Sequence, residues 1–187
     1  MGLDMYLTRK KYIGANYGGV KGTIYITKND KEISIDLKKV SYIEEDIGYW
    51  RKANQIHNYI VQNFANGVDN CHPVYLELSD LEQLLDVCKK VRKSINLVDG
   101  KLIESYTYNK KGEKEYHYID GKVIEDTSVC EELLPTQEGF FFGNTDYNEW
   151  YVEQIDYTIK MLKEIIKEEK EMRENGIYND FYYCASW

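Results

Sequence analysis

The chain has 187 residues, 43% hydrophobic and 30% charged, with a formal net charge of −8. That length supports one domain with a real core. The acidic balance excludes general affinity for nucleic-acid polymers, which takes basic surface to displace counterions, and no apolar run is long enough to span a bilayer.

Cys71, Cys88, Cys130 and Cys184 are scattered without a CxxC pair, the usage of reduced thiols in a cytosolic protein. The first residues lack the basic region and continuous apolar run of a secretion signal, so the expected location is cytoplasmic. Tyr is abundant (18) and Pro scarce (2). Tyrosine buries a ring while keeping a polar tip, which suits half-buried strands, pocket walls and interfaces.

In chain order, Met1–Arg9 alternates as a strand does. Tyr12–Gly22 reads as a glycine-bearing connection. Thr23–Thr27 and Glu32–Leu37 read as a hairpin turned at Lys28–Lys31. Ser41 with Glu44 has the spacing of a capping box and predicts a helix running to Phe64, with Ile43, Ile47, Trp50, Ala53, Ile56, Ile60 and Phe64 as its apolar stripe. Asp69–Leu78 is extended or looped. Ser79 with Glu82 predicts a second helix, to Lys93.

Leu97–Glu125 then changes texture. Asp99-Gly100, Lys111-Gly112 and Asp120-Gly121 each lie between strand-like runs, and glycine tolerates the positive φ of a tight turn. The pattern predicts an inserted antiparallel meander with Tyr106, Tyr108, Tyr116 and Tyr118 on one face. Ser128 with Glu131 predicts a short helix to Leu134. A long amphipathic helix follows from Thr145 to Glu174, and Phe181–Trp187 reads as a last strand. No long internal repeat is read from the sequence. The expected fold is a single α+β domain over 1–187. Its antiparallel sheet pairs the N- and C-terminal strands and is packed by three principal helices, with 97–125 as an inserted β-hairpin or meander elaboration.

The centre of the pattern is Glu131–Tyr151, where Phe140, Phe141 and Phe142 stand between Gly139 and Gly143. Bulky aromatics between glycines either plug a core or build a pocket wall. Gly143, Asn144, Thr145 and Asp146 are expected at a helix N-terminus, where free N–H groups suit an anion. Alternatively, Asn144, Thr145 or Asp146 simply caps the helix. A second candidate cluster is Trp50, Arg51, Asn54 and His57, expected along one helix. There Trp50 could stack on a base, Arg51 bind phosphate, and Asn54 and His57 read polar edges. The alternative is a satisfied internal network. His57, Cys71, His72, His117 and Cys184 have no common metal-site spacing, and no nucleophile motif accompanies His57. The reading is therefore of no metal, no cofactor and no enzyme.

MGLDMYL, GYWRKANQIH, ELLPTQEGFFFG, NEWY and the terminal YYCASW resemble, in that order, a family of small accessory proteins of bacteriophages and prophages. The resemblance spans both ends and the helical middle, and Leu97–Glu125 departs from it. It implies a counter-defence protein that binds and sequesters a nucleotide-derived immune signal without cleaving it. The ligand would touch Trp50, Arg51, Asn54, His57, Phe140, Phe142, Gly143, Asn144 and Thr145. The alternatives are a protein-binding inhibitor of a host defence enzyme, using the tyrosines of 97–125, and after it a nucleotide-processing enzyme. Homo-oligomerisation stays open.

Overall fold

Alternation at the two ends of the chain builds the central sheet. The computed structural model describes residues 2–13 and 24–187; from residue 14 onward the expected Tyr12–Gly22 connection lies outside them. Strand β1 (Asp4–Tyr12) buries Met5, Leu7 and Arg9, while β8 (Asn179–Ser186) buries Phe181, Tyr183 and Ala185 on the same side. The period of two follows from the pleat. The two strands pair antiparallel from Asp4↔Ser186 to Lys11↔Asn179. With β4 (Tyr42–Arg51) and β5 (Val74–Leu76), they form a four-stranded antiparallel sheet in the order β4-β1-β8-β5.

Helices α1 (Asn54–Phe64), α2 (Leu78–Ser94) and α4 (Glu149–Glu174) bring the apolar side chains that complete one core with the inner face of this sheet. That core joins Leu3, Met5, Leu7 and Phe181 to Ile56, Ile60, Leu81, Leu84, Ile155 and Leu162. Short α3 (Ser128–Leu133) contributes Cys130. The fold is α+β, with the terminal strands paired. Among the described residues, no helix is long and apolar enough to cross a membrane.

The helix expected over Ser41–Phe64 is a strand followed by a helix. Its first half pairs with β1 along its whole length, and one extra residue, Ile47, lies between the pairs Thr8↔Asp46 and Leu7↔Gly48. A bulge of this kind shifts the side-chain phase by one position. It turns the spacing of a strand's inward residues into the 43–47–50 spacing of a helix. Gly48 serves the same packing: a Cβ there would lie 2.8 Å from Met161 Sδ.

Other boundaries move for local reasons. Helix α2 is opened by a capping box two residues earlier than Ser79–Glu82. The Glu77 side chain accepts from the Asp80 N–H, and Asp80 Oδ2 accepts from the Glu77 N–H at 2.8 Å. Ahead of α3, Asp126 Oδ1 accepts from the Ser128 N–H at 2.9 Å. The hairpin of β2 (Ile24–Lys28) and β3 (Lys31–Ile35) is turned by Asn29 and Asp30, both at positive φ, the geometry of a tight hairpin turn.

Of the hairpin or meander expected over 97–125, the structure holds the hairpin, one long pair of β6 (Leu97–Tyr108) and β7 (Lys114–Ile124). Only Asn109–Glu113 turns it, with the Gly112 N–H donating to the Asn109 carbonyl at 3.0 Å. Asp99-Gly100 and Asp120-Gly121 sit in mid-strand, facing each other.

Candidate functional site

The segment between α3 and α4 is tied into the body by main-chain and side-chain bonds. The Leu3 N–H donates to the Phe141 carbonyl at 3.1 Å, and the Lys52 N–H to the Leu3 carbonyl at 2.7 Å. Asn54 makes three of the anchoring bonds. Its Nδ2 donates to the carbonyls of Phe142 (3.2 Å) and Asn144 (2.8 Å), and its Oδ1 accepts from the Gln137 N–H at 3.1 Å. Asn58 Nδ2 donates to the Pro135 carbonyl at 3.1 Å, and the Tyr151 hydroxyl to that of Leu134 at 2.9 Å. Gly143 has φ +90°, and a Cβ there would come within 3.0 Å of Lys52 Cβ. Both constraints favour glycine.

The Phe140–Phe142 run divides its roles. Phe142 is buried, its ring edge-on to His57 (5.2 Å between centroids) and Trp187 (5.7 Å), whereas Phe140 is 93% exposed. His57 is buried as well. Its Nδ1 lies 2.7 Å from the Tyr183 hydroxyl and its Nε2 lies 3.0 Å from Asp69 Oδ2. Burial pushes the Tyr183 phenol well above its ordinary value.

Trp50 does not share a helix face with Asn54 and His57, because it belongs to β4. It is buried, and its Nε1–H donates to Thr158 Oγ1 at 2.9 Å. Strand alternation sends its neighbour Arg51 outward, where Arg51 Nε lies 4.0 Å from Asp4 Oδ1 and its side chain is 65% exposed. The helix N-terminus expected at Gly143–Asp146 is also corrected. Helix α4 starts at Glu149, and Asn148 caps it, Oδ1 accepting from the N–H groups of Trp150 (2.9 Å) and Tyr151 (3.3 Å). Asn144 instead closes a turn on itself, accepting from the Asp146 N–H at 2.7 Å. Half-buried Thr145 gives its carbonyl to the Thr136 hydroxyl at 3.0 Å.

The structure thus brings Asn54, His57 and Phe142 together as interior groups with partners, ties the part-buried Asn144 carbonyl to Asn54, and leaves Arg51 and Phe140 outside. Two atoms beside this network lack a hydrogen bond: Gln55 Nε2 and Gln137 Oε1, both buried.

The more open arrangement is on the hairpin, and sequence reading missed half of it. Val98–Glu104 (VDGKLIE) and Ile119–Glu125 (IDGKVIE) are near-copies. They pair antiparallel with Gly100 opposite Gly121. Across that pair, Lys122 Nζ lies 2.6 Å from Asp99 Oδ1, and Lys101 Nζ lies 2.5 Å from Asp120 Oδ1. The Lys122 ammonium holds the Asp99 carboxyl below its ordinary value. On the reverse side, the space above the glycines is taken by the Val123 and Leu102 side chains, which a Cβ at Gly100 or Gly121 would strike. An open groove of about 670 Å³ runs over the four charges and two glycines.

Further out, Glu104 is an extra residue between the pairs Ile103↔Tyr118 and Ser105↔His117. This bulge shifts the phase of β6 and places Tyr106 and Tyr108 on the side of Asp99, Lys101 and Ile103. The rings of Tyr106 and Tyr108 (5.6 Å), Tyr106 and Tyr116 (6.3 Å), and Tyr116 and Tyr118 (6.5 Å) form a ladder, as the sequence predicts. Lys114 Nζ stands 4.5 Å from the Tyr106 ring centre. All four tyrosines are exposed, by 45% to 64%.

Of the metal candidates, His117 lies on the hairpin with Nε2 3.1 Å from Thr107 Oγ1, away from His57. Cys184 Sγ lies 3.4 Å from the Cys71 carbonyl. Among the described residues, no three His, Cys, Asp or Glu side chains gather closely enough to hold a metal ion. No family model, curated protein or solved structure matches the chain.

Proposed function

We propose that this chain is a protein-binding module whose working surface is the outward face of the β6–β7 hairpin. The observation that carries this reading is the ladder of Tyr106, Tyr108, Tyr116 and Tyr118. It stands on a stretch where every residue from Ile103 to Tyr108 and from Lys110 to Asp120 is exposed. Tyrosine is enriched at protein interfaces because it offers large, stiff contact area with a polar tip. Contiguous exposed aromatic area of this kind marks an interaction surface. The resemblance to phage accessory proteins supplies the setting: a small protein that acts by occupying a protein surface.

The test is a photo-crosslinking residue placed at Tyr116 in the full chain, irradiated in bacterial cells. An adduct to a protein, lost when Tyr106, Tyr108 and Tyr118 are changed to Ser, supports the reading. Irradiation that yields no protein adduct overturns it.

Sequestration of a nucleotide-like molecule at the Asn54 network is the second reading. One observation favours it: Gln55 Nε2 and Gln137 Oε1, a donor and an acceptor, are buried without hydrogen-bond partners in the two segments that Asn54 joins, the pair of functions that a base edge matches. Thermal shift against cyclic and ADP-ribose-derived nucleotides decides it. A stabilisation removed by Gln55→Leu supports sequestration, and no shift with any of them removes it.

A further inference from the structure

We infer that the protein docked on the hairpin face is a second copy of this chain, laid face to face about a twofold axis parallel to the strands; this rests on the hairpin face being the working surface. The argument comes from the register. When two identical antiparallel hairpins stack with a twofold axis along their length, β6 of one covers β7 of the other. Each residue then lies over the second copy's version of its own cross-strand partner. Whatever complementarity exists across the strands is therefore inherited by the interface.

Leu97 and Ile124, at the root of this face, pack into the chain's own core, and beyond them every exposed cross-strand pair on the face is complementary. Asp99 pairs with Lys122 and Lys101 with Asp120, so each carboxylate would meet the second copy's ammonium. Ile103 pairs with Tyr118 and Tyr106 with Tyr116, which sets apolar surface on apolar surface. Tyr108 pairs with Lys114, which sets a cation on an aromatic face. Like charges never oppose each other in this arrangement. The four charges form an alternating square, and the internal copy of the Asp-Gly-Lys triplet is what produces it.

The groove over the four charges leaves room for the second copy's side chains. A foreign partner of one net sign gains little from such a square, since its attractions and repulsions cancel; a surface with the same alternation gains at every position.

The measurement is sedimentation velocity of the full chain over a concentration series, with three samples. Wild type is expected to form a dimer of 22.1 kDa subunits. Lys101→Asp with Lys122→Asp presents four carboxylates, and Asp99→Lys with Asp120→Lys presents four ammonium groups. Each of these variants alone is expected to be monomeric, its dissociation constant raised on the order of a hundredfold by like-charge opposition. Mixed in equal amounts, the two are expected to form a heterodimer. Far-UV circular dichroism checks that both retain the fold, and Tyr106→Ser with Tyr116→Ser gives a charge-neutral route to the same loss of dimer.

A wild type that stays monomeric at every concentration overturns the inference. So do charge variants that remain dimeric, because the contact then lies elsewhere. The crosslinking experiment separates the two levels of the proposal. An adduct of twice the chain's mass agrees with both, an adduct to a different protein leaves the module and removes the second copy, and no adduct removes both.

Discussion

Replacing Asn54 with alanine distinguishes a structural pin from a ligand contact. The side chain is fully buried and makes three hydrogen bonds to main-chain groups of residues 137–144. At about 1 kcal/mol net for each bond, the loss is about 3 kcal/mol. The Asn144 carbonyl is near solvent and can turn to water, which puts the lower end at about 2 kcal/mol. Asn54→Asp should cost at least as much, because it keeps the acceptor for the Gln137 N–H but turns a carboxylate toward two carbonyl oxygens. Urea denaturation followed by far-UV circular dichroism reads the difference as a lower midpoint with the slope unchanged. An asparagine that serves only to read a ligand leaves the free protein's stability where it was. A measured loss below about 0.5 kcal/mol, the range of an unremarkable surface change, would refute the anchoring role.

Three further outcomes follow from the same geometry. Gly121→Ala should loosen the hairpin through its clash with Leu102, and adding Leu102→Ala should recover part of the loss; hydrogen exchange of β6 and β7 amides reads it, and simple additivity refutes it. Burial pushes the Glu45 carboxyl up, but Lys11 and Arg9 together hold it below its ordinary value of 4.5. A carboxyl depressed in the folded state contributes stability that is complete above about pH 4.5 and lost as the pH falls through the folded value. Acid titration of stability should therefore flatten in Arg9→Met, and an unchanged profile counts against the pairing. Burial pushes the Cys88 thiol up to about 12, while Cys71 is exposed. Thiol reagents at neutral pH should accordingly label Cys71 promptly and Cys88 only after denaturation.

The fold was legible wherever a periodicity ran undisturbed. The terminal strands, α2, and α4 from Glu149 on all carry their burial pattern openly. It was hidden in β4, where a bulge intervened. Ile47 in β4 turns a strand's inward spacing into a helix's, and Glu45, held inward against Arg9 at 2.7 Å, puts a charge where an apolar residue marks a strand. Glu104 in β6 shifts Tyr106 and Tyr108 in phase. The glycines at 100 and 121 misled for a different reason. Asp-Gly is a turn signal because of what glycine permits, but here glycine is required by what lies above it, the Leu102 and Val123 side chains. Only the pairing of one triplet against its copy reveals that.

The site was legible to a lesser degree, and the tyrosine hydroxyls show why. A buried tyrosine announces itself through its partner: Tyr59 accepts from Gln83 Nε2 at 2.9 Å, Tyr151 donates to the Leu134 carbonyl, and Tyr183 meets His57. Those partners are distant in sequence, so composition cannot separate such residues from surface ones. Trp50 and His57 look like ligand groups for the same reason, since an aromatic or imidazole that binds a molecule and one that bonds inside a core have the same sequence signature. The ladder differs in kind. Among the described residues, the hydroxyls of Tyr106, Tyr108, Tyr116 and Tyr118 have no hydrogen bond within the chain, and their rings touch mainly one another. Ring area held in register by a bulge, turned to solvent and bonded to nothing in the interior is the observation on which the proposed hairpin surface rests.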